Sequence, residues 1–194
     1  MQEAEEQTKA ARHDMISHLA AIKGYAAENK SDTIHDYTAS LLGSMSQTQS
    51  LSNTGNIAFD SIINYKLRNA KADNIRLTIR LLLPPVLNIE LPDIATILGN
   101  LLDNALEAEA AEKRITVDIE YSRQILFIKV KNTFDGEVTY ADGAGEHSII
   151  SRKAGGGHGL KNIRRAIEKY NGNLNITHDG KEFSVAILLY INER

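Results

Sequence analysis

Two asparagines, Asn100 and Asn104, have a type and spacing that suggest a ligand site. Residues four apart in a helix lie on the same face, one turn above the other. Carboxamide oxygens are hard ligands, suited to a hydrated Mg²⁺ ion and its phosphate partners. The alternative is a pair of solvent-facing asparagines, although asparagine is an unfavourable residue inside a helix. By themselves the two residues leave both interpretations open.

A glycine-rich stretch at residues 155–160, Gly-Gly-Gly-His-Gly-Leu, is the second candidate site. Glycine allows the backbone to approach a ligand closely, and the first turn of a following helix offers free N–H groups to phosphate. No Gly-Lys-Ser/Thr follows the stretch, and no strand leads directly into it. It therefore matches neither the Walker phosphate loop nor the dinucleotide-binding fingerprint. A flexible linker is the alternative interpretation.

The composition is typical of a globular protein, with 194 residues, 42% apolar and 24% charged, and a net charge of −3. A strongly cationic nucleic-acid binder is therefore not expected. Cysteine is absent, which excludes disulfide frameworks, thiolate metal sites and cysteine nucleophiles. No apolar run approaches the roughly 20 residues that span a bilayer, and the acidic start does not resemble a signal peptide. A membrane role would need a segment outside this sequence.

Residues 1–51 predict two helices. They lack proline, and apolar residues recur three and four apart over Met15–Ala26 and again over Ile34–Met45. This spacing gives each helix one apolar face. Good capping residues lie between the two runs, so a helical hairpin is expected. Because two such helices cannot bury both faces alone, a second copy completing a four-helix bundle is the economical solution.

The rest of the chain predicts an α+β fold with helices on one face of a mixed sheet. A break is expected at residues 52–56. Residues 133–157 are expected to form a long polar loop, and loops of this length in a compact domain are usually functional or disordered. The pattern predicts helices at about 57–72, 93–112 and 160–170, and strands at 75–83, 115–121, 125–132, 173–178 and 183–191.

The order of these motifs resembles the ATP-binding domain shared by histidine kinases, gyrase, Hsp90 and MutL. An Asn-x-x-x-Asn helix, two strands, a long loop and Gly-x-Gly-Leu-x-x-Ile opening a helix follow one another over roughly residues 57–191. The resemblance implies the Bergerat α/β sandwich, with ATP between the asparagine helix and the glycine loop. It implies Asn104 as the Mg²⁺ ligand with Asn100 nearby, and Gly157, Gly159 and Leu160 at the nucleotide.

Other residues of this domain can be compared with the motifs that distinguish the branches of that superfamily. Lys153 resembles a lid lysine that reaches the phosphates, and a solvated loop charge is its alternative interpretation. Gyrase-like and chaperone-like ATPases carry a glutamate base at the position of Asn100, and an asparagine cannot act as a base. Most histidine kinases recognise adenine with an Asp-x-Gly-x-Gly aspartate. Here Asn132 resembles the Asn-Ser/Thr of the accessory-gene-regulator group, and whether Asn132 or Asp135 contacts the nucleotide is left open.

Arg12-His13-Asp14, at the start of the first apolar stripe, resembles the phosphoacceptor box of sensor histidine kinases. More narrowly, it resembles the peptide-sensing accessory-gene-regulator type. The resemblance implies that His13 accepts the phosphoryl group and that Asp14 is its acid/base partner. Ser17 occupies the place where many relatives have a water-positioning Asn or Thr, and its shorter side chain leaves phosphatase activity open. No motif surrounds the other histidines, and surface positions are expected for His18, His35, His147 and His178, with no role assigned to His158.

The resulting prediction is the cytoplasmic catalytic part of a bacterial sensor histidine kinase. Residues 1–51 would be the dimerisation and phosphotransfer hairpin of a homodimer, and residues 57–194 the ATP-binding domain. The protein would use Mg·ATP to phosphorylate His13 and pass the phosphoryl group to an aspartate of a response regulator. A transmembrane sensor in the inner or plasma membrane would precede it, and no direct nucleic-acid contact is expected. The alternatives are a catalytically weak nucleotide-binding scaffold that docks a regulator, and an ATPase or serine kinase of the same superfamily.

Overall fold

The computed structural model describes residues 2–42, 51–136, 139–140, 149–150 and 158–192. The chain divides into two compact units, Met1–Gln49 and Ser50–Arg194. In this described part of the chain, no helix combines the length and the apolar character that crossing a bilayer requires.

The first unit contains two helices, α1 (Gln2–Ala27) and α2 (Ser31–Leu42). Asn29 lies between them with a φ of 54°, in the left-handed region that asparagine tolerates. Tyr37 of α2 hydrogen-bonds His18 Nδ1 of α1 at 2.9 Å, and the Tyr25 ring packs edge-on against Tyr37. The two helices therefore contact each other through aromatic and imidazole side chains. Met45, at the end of the second predicted stripe, lies outside the described residues.

The second unit is an α+β domain, as predicted. Its five-stranded sheet has the order β1-β2-β3-β7-β6, with β1 and β2 parallel and the other neighbours antiparallel. A separate two-stranded sheet pairs β4 with β5. The elements are α3 (Ile57–Leu67), β1 (Arg76–Leu82), α4 (Leu91–Glu107), β2 (Arg114–Ser122), β3 (Ile125–Thr133), β4 (Thr139–Tyr140), β5 (Ile149–Ile150), α5 (His158–Glu168), β6 (Asn173–His178) and β7 (Glu182–Tyr190).

The core lies between the three helices and one face of the large sheet. Successive side chains of a strand point to opposite faces, and in β2 and β3 alternate residues are buried while their neighbours are partly exposed. The buried face meets apolar side chains of all three helices. Phe59, Ile63, Ile97, Leu98 and Ile163 are fully buried there. The opposite face carries charged and polar residues together with the exposed apolar residues Leu82, Leu188 and Tyr190.

Two predicted helices end earlier than expected. The helix predicted to reach residue 72 ends at Leu67, and Asn74, with a φ of 56°, turns the chain so that Ile75 is buried before β1. The helix predicted to reach residue 112 ends at Glu107, where the backbone of Ala108 becomes extended. The five residues that follow are good helix formers. The chain must nevertheless leave α4 there so that β2 can pair with β1, and this strand pairing outweighs the helix propensity of the segment.

The predicted loop over residues 133–157 is only partly correct. Thr133 is the last residue of β3, and two short strands, Thr139–Tyr140 and Ile149–Ile150, pair within the segment. A strand of two residues is too short to show an alternation of apolar and polar residues in the sequence. Residues 137–138, 141–148 and 151–157 lie outside the described part of the chain.

Candidate functional site

Helix α4 presents Asn100 and Asn104 at the edge of the core. Ile97, Leu98 and Leu101 are buried and fix the orientation of the helix, which leaves both asparagines half-buried on the adjoining face. Asn100 Nδ2 donates to the backbone oxygen of the preceding turn at 2.6 Å. This bond holds the Asn100 amide so that its Oδ1 is available as an acceptor.

Helix α5 begins directly against Asn100. A Cβ built on Gly159 would lie 3.1 Å from Asn100 Oδ1, which is closer than most Cβ contacts, and at an ordinary 3.7 Å from its Cγ. Leu160 and Ile163 are buried and anchor the first turns of α5 in the core. The structure therefore brings Asn100 of the asparagine helix next to Gly159, at the end of the glycine-rich stretch, and the role of these residues and of Leu160 in nucleotide binding stays a prediction.

These residues fit a magnesium–phosphate group. The N-terminus of a helix carries free N–H groups and a partial positive charge, both favourable to phosphate. Beside it lie the neutral carboxamide oxygens of α4, which suit Mg²⁺ when phosphate oxygens complete the shell. Among the described residues there is no cluster of His, Cys, Asp or Glu that could hold a metal by itself.

An ion pair that the sequence did not suggest lies beside this site. Lys66 of α3 donates to both carboxylate oxygens of Asp103, each at 2.7 Å. Its Cε lies 3.9 Å from the place a Cβ would take on Gly99, so the lysine crosses α4 over a glycine. Asp103 immediately precedes Asn104. Lys66 therefore neutralises a carboxylate next to the predicted magnesium ligand.

The Asn132 side chain is buried, with 7% of its surface exposed. It lies on the helix-covered face of β3, in line with Ile128 and Val130, and its Nδ2 donates to the Thr133 oxygen at 3.0 Å. Thr133 Oγ1 in turn donates to the Glu112 oxygen at 2.6 Å. Asp135 follows the strand and is exposed. Of the two candidates for nucleotide contact, only Asn132 is directed towards the layer of helices.

Two predicted nucleotide contacts, Lys153 and Gly157, lie outside the described residues, as does His147. His158 is the first residue of α5, and its side chain is also outside the described part of the structure.

In the first unit, His13 is exposed on α1. Ser17 Oγ donates to the His13 backbone oxygen at 3.1 Å, so its proton is used within the helix. Asp14 lies in α1, but its side chain is outside the described part of the structure. The surface assignment of His18 needs correction, because this residue is half-buried and bonded to Tyr37. His35 and His178 are exposed, as predicted.

A polar network ties residues 51–56 to α3. Asp60 accepts hydrogen bonds from the Ser52 hydroxyl and from the backbone N–H groups of Thr54 and Gly55. Asn64 Oδ1 accepts from the N–H groups of Leu51 and Ser52 at 2.7 and 2.9 Å. Burial raises the pKa of Asp60, but these hydrogen bonds outweigh it and the net pKa is lowered. The sequence predicted only a break here, since the partners are local loop groups that no pattern identifies.

A second network fixes the start of α4. Asp93 is buried and accepts from Lys169 Nζ at 2.9 Å and from the Tyr170 hydroxyl at 2.8 Å. The hydrogen bond with Asp93 raises the pKa of Lys169, and burial raises the pKa of Tyr170. Both cross-links join the end of α5 to the start of α4. They fix the position of α5 relative to α4, the two helices that carry the candidate site.

Comparison with known proteins identifies a family and a shared fold. The sequence profile of a family described as the GHKL domain matches residues 89–190. No curated protein matches the chain. Among solved structures, the catalytic domain of histidine kinase ThkA superposes with a TM-score of 0.56 at 17% identity, over 72% of this chain and 93% of that one.

Two further solved structures cover more of the chain. Histidine kinase AdeS of Acinetobacter baumannii has a TM-score of 0.55 at 14% identity, over 93% of this chain and 98% of that one. A histidine kinase from Burkholderia phymatum has a TM-score of 0.53 at 20% identity, over 93% and 89% respectively. At these identities the likeness shows a shared fold.

Proposed function

This chain belongs to the GHKL domain family, and from that membership we propose that it is the catalytic region of a two-component sensor histidine kinase. The observation that carries the proposal is the contact between Asn100 and Gly159. It supports a site in which Asn100, with Asn104 one turn further along α4, faces the N-terminus of a glycine-preceded helix, which is the pairing a magnesium–triphosphate needs. GHKL domains bind ATP with Mg²⁺.

The nucleotide would lie between α4 and the start of α5. We assign Asn104 as the magnesium ligand, with Asn100 beside it, and Gly159 and Leu160 at the phosphates together with Gly157. Lys153 would neutralise phosphate charge. We assign adenine contact to Asn132 rather than Asp135, because Asn132 is buried on the face that α4 covers and Asp135 is exposed.

The phosphoacceptor in this proposal is His13, which is exposed on α1. Its neutral imidazole nitrogen would form a bond to the γ-phosphorus while the bond from that phosphorus to the bridging oxygen breaks, and ADP leaves. Asp14 would accept the proton of the other ring nitrogen and stabilise the charge on the imidazole. Phosphoryl transfer depends mainly on positioning and charge neutralisation, so the protein's part is to bring His13 to a nucleotide held elsewhere.

The identity of Asn100 supports transfer rather than hydrolysis. An amide cannot remove a proton from water, and the Asn100 Nδ2 is already occupied by a backbone oxygen. An ATPase of this fold would need a general base within reach of the γ-phosphate. Asp103, the nearest carboxylate on α4, is held by Lys66 at 2.7 Å and is not available as a base.

Residues 1–51 would form the dimerisation and phosphotransfer domain of a homodimer, and residues 57–194 the ATP-binding domain. Support comes from α1, where Met15, Ile16 and Leu19 are 63%, 56% and 58% exposed although α2 packs on the helix. Apolar residues in line on an amphipathic helix are normally buried. A second copy would cover them by completing a four-helix bundle.

The accessory-gene-regulator subtype, and with it a role in quorum sensing, rests on the Arg12-His13-Asp14 box and on Asn132. The proposal includes phosphotransfer to an aspartate of a response regulator and a transmembrane sensor preceding the catalytic region. Ser17 offers little support for phosphatase activity, because its hydroxyl proton is bonded to the His13 backbone oxygen at 3.1 Å.

The test is incubation with Mg·ATP radiolabelled on the γ-phosphate, comparing wild type with His13→Ala and Asn104→Ala. We expect acid-labile, alkali-stable label on wild type only. His13→Ala should still bind nucleotide, which shows that loss of label reflects loss of the acceptor. Equal labelling of His13→Ala and wild type would refute the assignment of His13, and acid-stable label would point to a serine kinase.

A nucleotide-binding scaffold that docks a regulator is the second candidate. The observation in its favour is that an amide, Asn132, stands where most histidine kinases have an adenine-binding aspartate, and its Nδ2 is bonded within the strand. Such a protein would bind Mg·ATP and a regulator but leave the ATP unaltered. Binding with no label on wild type under the same conditions would favour it.

A further inference from the structure

A second concave site lies on the open face of the large sheet, opposite the helices. Its walls are formed by Arg76 and Thr78 of β1, Arg114 and Thr116 of β2, Lys131 and Asn132 of β3 and Glu182 of β7. Four adjacent strands therefore contribute side chains to one end of the face.

The two arginines are direct neighbours of like charge. In the parallel pairing of β1 and β2, Arg76 is opposite Arg114 and Thr78 is opposite Thr116. Neighbouring strands lie about 4.8 Å apart, and like charges directly opposite each other destabilise a sheet. Lys131 is the next-strand partner of Thr116, and it adds a third cation to the pocket.

The carboxylates nearby do not balance these charges. Glu182 pairs with Lys131 at 2.6 Å, and Glu112 approaches Arg114 only at 3.5 Å with both side chains well exposed. Arg76 forms no ion pair with any residue that the structure describes. Arg80, on the same face, is by contrast paired with two carboxylates of the neighbouring strand, Asp118 at 3.0 Å and Glu120 at 3.1 Å.

We propose that this pocket binds a small phosphate-bearing anion. Guanidinium groups match the oxygens of phosphate with paired hydrogen bonds and are weakly hydrated. The hydroxyls of Thr78 and Thr116 supply further donors one row along the face, and neither bonds another side chain in the described part of the chain. An anion between the arginines removes their repulsion, so the sheet edge is more stable with the site filled. The site does not depend on the proposed kinase activity.

The experiment titrates the full chain with inorganic phosphate and pyrophosphate, following the Nε–H signals of arginine by NMR and the heat of binding by calorimetry. We expect saturable pyrophosphate binding that shifts the Arg76 and Arg114 signals, and at least about a tenfold loss of affinity in Arg76→Gln/Arg114→Gln. The matched control is Lys23→Gln/Arg123→Gln, which changes the net charge equally and includes an exposed lysine of the first unit. Arg123 lies roughly 30 Å away, at the other end of β2.

Thermal unfolding gives an independent readout that does not require a binding signal. Without anion, Arg114→Gln should melt about 1–3 °C above wild type, because the like-charge pair is gone. Pyrophosphate without Mg²⁺ should raise the melting temperature of wild type by more than that of the variant, which keeps the proposed phosphate site at the start of α5. Equal binding by wild type and the double variant would overturn the proposal, as would equal loss in the control, which would indicate general charge attraction.

Discussion

Asn100 and Gly159 lie close together, and a side chain at position 159 would crowd the Asn100 amide. Because a Cβ there would lie 3.1 Å from Asn100 Oδ1, a side chain at position 159 would force the amide or the start of α5 to shift by a few tenths of an ångström. Gly159 has an ordinary helical backbone, so the requirement is for space and not for an unusual φ angle.

The first prediction concerns this contact. Gly159→Ala should displace the Asn100 amide and reduce Mg·ATP affinity about tenfold, equivalent to about 1.4 kcal/mol. Gly99→Ala is the control, since a Cβ there meets Lys66 Cε at an ordinary 3.9 Å. The control should gain up to about 1 kcal/mol in stability from helix propensity and bind normally. Calorimetric titration measures both, and unchanged affinity in Gly159→Ala would refute the role of the contact.

The second prediction concerns the pair of Lys66 and Asp103. Lys66→Met should weaken Mg·ATP binding, because it frees a carboxylate next to Asn104 that either competes for Mg²⁺ or repels the triphosphate. Asp103→Asn in the same chain should restore binding, since it removes that charge. The coupling energy in unfolding should be modest, about 0.5–1 kcal/mol, because both side chains are partly exposed. If the double variant binds as poorly as Lys66→Met, the charge of Asp103 is not the cause.

The third prediction separates two histidines five residues apart on α1. His13 is exposed, whereas His18 Nδ1 is bonded to the Tyr37 hydroxyl at 2.9 Å. His18→Gln should therefore be labelled by radioactive ATP as wild type is, while His13→Gln should not. His18→Gln should lose about 0.5–1.5 kcal/mol of stability with its hydrogen bond. Loss of label in His18→Gln at a temperature where the variant is folded contradicts this assignment.

The fourth prediction follows from the lowered pKa of Asp60. A carboxylate with a lowered pKa stabilises the fold above its unfolded value near 3.9, and this contribution is lost as pH falls through the folded pKa. Asp60→Asn should cost about 1–3 kcal/mol at pH 7, and its deficit relative to wild type should shrink towards pH 3. Urea unfolding across this range measures the difference. Asp73→Asn, at an exposed position, is the control, and a deficit that does not vary with pH would be inconsistent with the network.

The fifth prediction concerns the exposed apolar residues of α1. If Ile16 and Leu19 lie in a homodimer interface, Leu19→Glu should weaken dimerisation at least about 100-fold, since one apolar side chain is worth about 1.5–3 kcal/mol and is lost twice. Lys23→Glu, also exposed on α1, should have little effect. Light scattering over a concentration series gives the dimer dissociation constant. A wild-type monomer at all concentrations would remove the basis for a four-helix bundle.

Local pattern in the sequence was sufficient for the order and type of the main elements. Alternation in β2 and β3 and the spacing of Leu98, Leu101 and Leu102 in α4 reflect burial against one face, which a sequence records directly. Spacing also identified Asn100, Asn104 and Gly159 as candidates, since functional glycines and helical asparagines contradict local propensity. Helix ends were less predictable, because α4 stops where β2 must pair with β1 and not where its propensity falls.

Only the tertiary structure brought Lys66 to Asp103, Lys169 to Asp93, and Arg76 opposite Arg114. These pairs join elements that are distant in sequence, and each depends on the relative position of two helices or on the register of two strands. A charged residue on a solvent-facing position shows no periodicity that would reveal its partner. The sequence by itself therefore predicted which side chains are candidates for binding a nucleotide, whereas packing decided which charges are paired and which charges, on the opposite face of the sheet, remain unbalanced.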